Sequence, residues 1–418
     1  MTARHRVFAW CLYDWACSSF NTIVISFVFA TYFVRAVATN PASGTAGWAE
    51  AQGLAGLVIA LVAAPLGAIA DGGGLRRPML AGCTAIVALC TAGLWFVRPH
   101  PSSIVLALVL VAAATVAFEI AAVFYNAMLP DIAAPGRIGR VSGLAWGSGY
   151  LGGLVCLVLC LVLLIDPHPP RFGLSPAESQ PVRATALFAA GWIAVFAWPL
   201  LVLMPRPPRR LAVRRALRNG IAALRSALRA AIGTSGTARF LVARMLYSDG
   251  LTTLFAFGGI YAAGTFAMDA HATLLLGIAL NVTAGIGAVV FALIEDRIGA
   301  KSVVLLAVGA LAVLGTLALL AQSARTFWIV ALGLGSFVGP AQAASRSLMA
   351  RLAPADARGA HFGLYALSGR VTGFVGPLAL GAVTAMTHSQ RAGMAVIVVL
   401  LGAGGVLLAT TRFGPTTG

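Results

Sequence analysis

Three acidic residues lie within long apolar stretches of this sequence: Asp14, Glu119 and Asp249. An ionisable side chain in the hydrocarbon layer of a membrane is costly unless it is paired or hydrated, so such residues are the first candidates for function. Each acid begins a row of polar residues at helical spacing, and a fourth apolar stretch carries a polar pair. The members are Asp14, Ser18 and Asn21; Glu119 and Asn126; Asp249, Thr252 and Thr253; and Gln342 and Arg346.

Two chemical interpretations fit these rows. Counted at 1.5 Å per residue from the helix ends, all three acids lie roughly 10 to 15 Å deep, so they could face one cavity. In the first interpretation, the rows and Arg370 hold a polar or zwitterionic solute, and one carboxylate takes up and releases a coupling proton as water access changes sides. In the second, the acids pair permanently with Arg244, Arg346 or Arg370 and hold helices together. The sequence leaves both open.

The apolar stretches predict an all-α polytopic membrane protein. Of the 418 residues, 60% are hydrophobic and 10% are charged, and the mean hydropathy is +0.92, which excludes an ordinary soluble domain. Runs of about 20 apolar residues, each long enough to cross roughly 30 Å of hydrocarbon, recur throughout. The twelve predicted spans are 8–36, 52–70, 79–97, 103–128, 142–164, 184–204, 239–265, 272–294, 302–321, 326–349, 362–386 and 392–411.

The distribution of basic residues predicts the orientation. Twenty of them fall on the side that carries both termini and six on the opposite side, so both termini are expected in the cytoplasm of a bacterium, with the protein in its inner membrane. The net charge of +17 therefore indicates lipid contact rather than nucleic-acid binding. Residues 205–238 predict a cytosolic linker with an amphipathic helix on the lipid surface, between six-helix bundles at 1–204 and 239–418.

An internal duplication supports the two bundles. The loop after the second span has the pattern DxxGxR, and the loop after the eighth has DxxGxK at an offset of 225 residues. The fifth and eleventh spans also match, at an offset of 220. Parallel six-helix repeats are typical of carriers that work by alternating access. We expect the loops to act as a conformational latch through Asp71, Gly74, Arg76, Asp296, Gly299 and Lys301.

Other chemistries find little support in the residues. No histidine lies beside an intramembrane acid, and no metal-ligand spacing, nucleophile with an adjacent base or phosphate-binding GxxxxGK[ST] loop occurs. We therefore expect no enzyme activity, metal or cofactor. The expected partners are a small solute, protons and the bilayer, and the expected state is a monomer. A substrate sensor or a lipid translocator on the same scaffold is the alternative.

Several motifs resemble a known family. The loop GAIADGGGLRRP is similar to the signature loop of the major facilitator superfamily, although Gly72 and Gly73 stand where a basic residue often follows the aspartate. The segments AWCLYDWACSSF, FYNAMLPDIA, RIGRVSGLAWGSGYLGG, LYSDGLTTLFAFGGIYAAGTF and PAQAASRSLMARLAP resemble the branch related to autophagy-associated vacuolar amino-acid effluxers. The resemblance implies export of amino acids or related small solutes. Its motif positions are Asp14, Asn126, Asp131, Arg140, Asp249, Gln342 and Arg346.

Overall fold

A computed structural model describes residues 3–167, 171–203 and 235–413, and the regular structure in these ranges is helical. In the first half, α1 consists of consecutive segments that include two π-helical stretches. The first six helices are α1 (Ala3–Ser19, Phe20–Phe27, Phe29–Tyr32 and Phe33–Val37), α2 (Pro41–Gly73), α3 (Arg76–Gly93), α4 (Ile104–Ala127), α5 (Ile138–Cys160) and α6 (Gln180–Leu203). A short helix, Leu129–Ile132, follows α4.

The second half repeats this arrangement. Its helices are α7 (Ser235–Phe266), α8 (Ala270–Ile298), α9 (Ala300–Leu320), α10 (Ala324–Leu352), α11a (Arg358–Ser368), α11b (Val375–Thr387) and α12 (Gln390–Ala409). Ten helices of the described ranges are long and apolar enough to cross a membrane. The more polar α7 and the two-part α11 account for the other two predicted spans. The prediction of an all-α polytopic protein with twelve spans is confirmed.

The prediction of one continuous span at 362–386 is wrong in its middle. The chain leaves the helix after Ser368 and forms turns up to Phe374 before α11b begins. Gly369 and Gly373 weaken a helix there, and Pro377 has no N–H to donate to a carbonyl four residues earlier. The interruption exposes the carbonyl end of α11a and the amide end of α11b inside the protein.

Most of the predicted linker, residues 205–238, lies outside the described residues. Its last four residues are helical, because α7 begins at Ser235 rather than at residue 239. The end of α12 meets the start of α7 here: a Cβ on Gly236 would lie 2.8 Å from the carbonyl oxygen of Arg412. We call the side that carries the start of α1 and the end of α12 the terminal side.

Helices that begin on the opposite side carry N-caps. The side chains of Asn40, Asp269, Ser323 and Ser389 accept hydrogen bonds from backbone N–H groups three residues later, at the starts of α2, α8, α10 and α12. These bonds satisfy amides that helix geometry leaves without partners. The capped starts lie where a polar loop meets an apolar run, so the sequence itself determines where these helices begin.

The two halves meet through small residues. Helix α5 packs against α8, and α2 packs against α11a. A Cβ on Gly143 of α5 would collide with Ala292 of α8, and a Cβ on Gly363 of α11a would collide with Ala64 of α2. Glycine at these positions permits the close approach of the helix backbones. These two contacts form the junction on the terminal side.

Candidate functional site

A cavity of about 780 Å³ lies between the halves. Helices α1 and α5 line it from the first half, and α7, α8, α9, α10 and α12 line it from the second. It lies toward the side opposite the termini, because its walls use residues 18–27 of α1, 252–261 of α7 and 273–281 of α8. Four predicted pathway residues line it: Ser18, Asn21, Thr252 and Gln342.

The cavity combines polar groups with aromatic walls. The Tyr150 hydroxyl of α5 donates to Gln342 Oε1 of α10 at 2.7 Å, which joins the two halves. Asn281 of α8 also lines the cavity, and its side chain donates to the Gly277 carbonyl at 2.9 Å. Aromatic side chains, including Trp146, form much of the remaining wall. Such a volume and lining suit a small amphipathic solute.

Beside the cavity, Arg346 of α10 forms an ion pair with Asp14 of α1. Arg346 Nη1 lies 2.9 Å from Asp14 Oδ2 and 3.5 Å from the Asn126 side-chain oxygen. Its Nε donates to Ser142 Oγ at 2.9 Å and its Nη2 to the Ser142 carbonyl at 2.6 Å. Arg346 is 3% exposed and the Asp14 side chain 22%, so the pair connects α1 and α5 to α10 with the arginine buried and the acid partly open to solvent.

Three aromatic rings surround this cation. The Arg346 guanidinium carbon lies 4.7 Å from the ring centroid of Trp10, 5.5 Å from that of Trp146 and 5.8 Å from that of Tyr125. Ring faces attract a desolvated guanidinium, so they lower the cost of burying it. The structure thus brings together Asp14, Asn126 and Arg346, which the sequence placed on three separate spans.

A second ion pair crosses the halves at the interruption of α11. Arg370, in the turns between α11a and α11b, pairs with Glu119 of α4. The Glu119 side chain is 20% exposed and the Arg370 side chain 36%. Two of the three intramembrane acids therefore have an arginine partner from the opposite half.

Asp249 of α7 has no arginine partner among the described residues. Its Oδ2 accepts the backbone N–H of Gly376 at 2.9 Å, at the amide end of α11b. Its Oδ1 is buried without a hydrogen-bond partner in the described ranges, and the residue is 3% exposed. The exposed amides of a helix start attract a negative charge, which explains the position of this carboxyl group.

Arg244, also on α7, binds the other end of the interruption. Its Nη1 donates to the Tyr365 carbonyl at 2.5 Å and to Ser368 Oγ at 2.8 Å, and its guanidinium carbon lies 3.5 Å from the Tyr365 ring centroid. The arginine thus caps the carbonyl end of α11a, while Asp249 caps the amide end of α11b. Of the three arginines that the pairing interpretation offered, Arg346 and Arg370 form ion pairs with acids, and Arg244 forms none within the described ranges.

The expectation that the three acids share the solute cavity is not met in this conformation. Neither Asp14, Glu119 nor Asp249 lines it, although Ser18 and Thr252, one turn or less further along α1 and α7, do. Sequence spacing predicted which helices carry the acids. It could not predict their partners, which are arginines of the opposite half for Asp14 and Glu119 and the amide end of α11b for Asp249.

The first latch loop binds the opposite half on the terminal side. Asp71 Oδ1 lies 2.6 Å from Arg76 Nη2, and Asp71 Oδ2 accepts the backbone N–H of Ala360 at the start of α11a at 3.1 Å. Gly74 has φ 63°, in the left-handed region that favours glycine. Asp131 extends the cluster, because it pairs with Arg76 at 3.3 Å and with Arg358 of α11a.

The second latch loop binds the start of α5. Asp296 accepts the backbone N–H groups of Gly139 at 2.9 Å and Arg140 at 3.0 Å, and it pairs with Arg351 of α10 at 2.8 Å. Gly299 has φ 88°. We call the two contacts, Asp71 with α11a and Asp296 with α5, the terminal-side gate. Both contacts are formed, so the terminal side is closed. The cavity lies toward the opposite side of the protein.

Lys301 differs from its counterpart Arg76. Its ammonium donates to the carbonyls of Ala409 at 3.2 Å and Thr411 at 2.7 Å, at the end of α12. Arg76 pairs with Asp71 in the first loop, whereas Lys301 forms no ion pair with Asp296 in the described ranges. Arg351, which comes from another helix, takes that position, and sequence spacing alone gave no signal for it.

The chain matches the family model described as vacuole effluxer Atg22 like over residues 48–413. It belongs to the Atg22-like family. This Atg22-like chain is 24% identical over 410 residues to YxiO of Bacillus subtilis (strain 168), described as an uncharacterized MFS-type transporter, with 96% of this chain and 93% of the relative covered. It is 26% identical over 270 residues to autophagy-related protein 22 of Eremothecium gossypii, covering 60% of this chain and 52% of the relative. The chain thus spans about half of that fungal relative.

Solved structures show the same fold. The proton:xylose symporter XylE bound to 6-bromo-6-deoxy-D-glucose superposes with a TM-score of 0.76 at 12% identity, covering 98% of this chain and 96% of the symporter. FucP in the outward conformation gives 0.73 at 13% identity, covering 98% and 99%. The Atg22-like chain therefore has the major facilitator fold, and the ten long apolar helices in its described ranges are those of an integral membrane protein.

Several site residues were missed at the level of sequence. Asn281 and Tyr150 are polar residues within apolar spans, as Ser18 is. They were not selected because no acidic residue precedes them at helical spacing. Glu295 fell one residue beyond the predicted span 272–294, although α8 continues to Ile298 and buries it. An error of a few residues in a helix end was enough to hide a buried acid.

Proposed function

We propose that this protein is a secondary active transporter that moves a small polar solute by alternating access. The observation that carries the proposal is the cavity between the halves, which has polar walls from both halves and lies opposite a closed gate. Opening the terminal side requires the Asp71 and Asp296 contacts to break while the halves close over the cavity. The bundles at 1–204 and 239–418, joined by the linker at 205–238, are the proposed moving bodies.

We propose amino acids as the solute class and export as the direction. The amphipathic cavity fits a molecule with polar backbone groups and an apolar side chain. The family description, vacuole effluxer, supports outward movement from the compartment that holds the solute. The excess of basic residues on the terminal side supports cytoplasmic termini in a bacterial inner membrane, and a monomer contains the whole cavity.

We propose that Asp249 is the coupling acid. Its Oδ1 is buried without a partner in the described ranges, and an ionised carboxylate in that state is costly, whereas a bound proton removes the charge. Asp14 and Glu119 already have arginine partners, which stabilise their ionised forms. Asp249 lies less than one turn from Thr252 of the cavity wall, so water entering the cavity approaches it from the open side.

Solute counterflow in reconstituted vesicles tests the function. Vesicles are loaded with one unlabelled amino acid, and uptake of the same labelled amino acid is followed with and without an imposed proton gradient. We expect exchange of at least one amino acid, and accumulation that collapses with the gradient. Absence of exchange across a broad panel, together with movement of fluorescent lipid between leaflets, would instead establish the lipid translocator; absence of both would favour the sensor.

A further inference from the structure

Glu295 is a buried acid beside the closed gate. The transport mechanism proposed above does not use it. It lies near the terminal end of α8 and is 1% exposed. A Cβ on Gly139 at the start of α5 would lie 2.5 Å from its carboxyl carbon and Oε1, so the opposite half covers it directly. Ser347 of α10 contacts Oε1 from the other side. Opening the gate must separate α5 from α8 and so admit water to this carboxyl group.

Ser347 offers Glu295 only a shared hydrogen bond. Its hydroxyl donates to Glu295 Oε1 and also lies 3.1 Å from the Ala344 carbonyl of its own helix, so one hydrogen is divided between two acceptors. Such a bond offsets only part of the cost of burying an ionised carboxylate.

The neighbouring charges do not neutralise an ionised Glu295. The charged groups that act on it are Arg351 and Arg346 of α10 and the adjacent Asp296. Arg351 is paired with Asp296, and Arg346 is already bound to α1 and α5. Arg140 of α5 is exposed and reaches this region through its backbone N–H on Asp296. Among the described residues Glu295 has no ion pair, and an unpaired buried carboxylate is strongly disfavoured.

The first repeat contains the same contact without the acid. The offset of 225 aligns Glu295 with Ala70, and the offset of 220 aligns Gly139 with Gly359 and Ser347 with Ala127. Ala70 and Ala127 are each 0% exposed. Close packing at this position therefore needs no carboxyl group, and the acid in the second repeat must be explained by something other than packing.

We propose that Glu295 binds a proton while the terminal-side gate is closed and releases it to the terminal side when the gate opens. Acidity on that side then holds the gate shut, and alkalinity favours opening. The proposal rests on the alternating access proposed above, but it concerns a different site from the Asp249 coupling acid. In the pH window where the closed gate is protonated and the open gate ionised, the closed-to-open ratio changes by up to about tenfold per pH unit.

Hydrogen exchange of the full-length protein tests this, because the Gly139 and Arg140 amides are protected by Asp296 only while the gate is closed. Exchange of the peptide that contains them is compared between wild type and Glu295→Gln at the same pH, so that the intrinsic chemistry of exchange cancels. Glutamine retains the shape of the neutral acid. We expect equal protection at acid pH, and faster exchange of the wild type as pH rises, by up to about tenfold per unit.

Two further variants sharpen the result. Glu50→Gln, an exposed residue of α2, is the matched control and should follow wild type at every pH. The double variant Glu295→Ala with Ser347→Ala copies the first repeat and should lose the pH dependence as Glu295→Gln does. The proposal is overturned if wild type and Glu295→Gln exchange alike at all pH values, or if Glu295→Gln is less protected at acid pH. The hydrogen-exchange experiment needs no transported solute. Its result can therefore be interpreted even if the counterflow experiment detects no transport.

Discussion

At the contact between α2 and α11a, small residues meet and one acid, Asp71, binds the Ala360 backbone amide of the opposite half. At the equivalent contact between α8 and α5, Asp296 binds two amides and the buried Glu295 lies beside it. The same positions of a duplicated chain thus form one contact with an alanine at the buried position and one contact with a buried glutamate there. The duplicated halves share the same backbone arrangement. A few side chains that differ between them give the two contacts different chemistry.

The centre of the molecule shows the same division. Asp14 of α1 is paired with Arg346, whereas the Asp249 side chain of α7 binds a backbone amide and has no arginine partner in the part of the chain that the structure describes. The first arrangement stabilises a fixed charge, and the second leaves a carboxyl group whose charge can change. The first prediction therefore concerns Arg346, whose removal has the largest expected effect.

Arg346→Gln should abolish solute exchange, with a loss of at least about 100-fold, and lower the free energy of unfolding by roughly 1–3 kcal/mol, because the half-buried Asp14 loses its charged partner and Ser142 loses two hydrogen bonds. Counterflow and thermal unfolding in detergent measure the two effects. Adding Asp14→Asn should restore part of the stability. Arg325→Gln, exposed at the start of α10, is the control and should change neither. Unchanged stability of Arg346→Gln would show that the pair contributes little.

Asp249→Asn should retain solute counterflow but lose the coupling of transport to the proton gradient. The amide oxygen of asparagine can still accept the Gly376 N–H, so the fold and solute counterflow should persist. Accumulation driven by a proton gradient should fall at least about tenfold, because no proton can be released. Asp269→Asn, at an exposed N-cap where asparagine is equally suited, should leave accumulation intact. Gradient-driven accumulation by Asp249→Asn at the wild-type level would exclude this residue as the coupling acid.

The two gate aspartates should differ in strength. Asp296→Asn weakens two charge-assisted amide bonds and the Arg351 pair, whereas Asp71→Asn weakens one amide bond and the Arg76 pair. We expect about tenfold faster exchange of the Gly139 peptide for Asp296→Asn, and about threefold faster exchange of the Ala360 peptide for Asp71→Asn. Equal effects would mean that the two contacts are energetically symmetric after all.

Lys301→Ala should have the smallest effect on the gate. Its ammonium binds carbonyls at the end of α12 rather than Asp296, so exchange of the Gly139 peptide should change less than twofold, as expected for an exposed interaction worth below about 0.5 kcal/mol. Arg351→Ala removes the arginine that pairs with Asp296, so it should accelerate exchange of the Gly139 peptide clearly more than Lys301→Ala does. A large effect of Lys301→Ala on this exchange would show that Lys301 is part of the latch, as the repeat pattern predicted.

Much of the candidate site follows from local pattern, and its limits are also physical. The rows that begin with Asp14 and Asp249 lie on the predicted helices, and Ser18, Asn21, Thr252 and Gln342 line the cavity, because helical spacing alone determines which residues share a face. The partners of the acids come from helices far away in the chain, and spacing carries no information about them. The interruption at Gly369 was likewise hidden within an apolar run of ordinary length.

By itself the sequence determined the number of spans, the duplication, the family resemblance and the helices that carry the intramembrane acids, because hydropathy and helical periodicity act over short stretches of chain. The tertiary structure decided which arginine meets which acid, that Arg351 rather than Lys301 binds Asp296, and that Glu295 is buried. Those outcomes depend on how two six-helix units approach each other through glycine and alanine contacts. That approach brings together residues more than a hundred positions apart, such as Gly139 and Glu295.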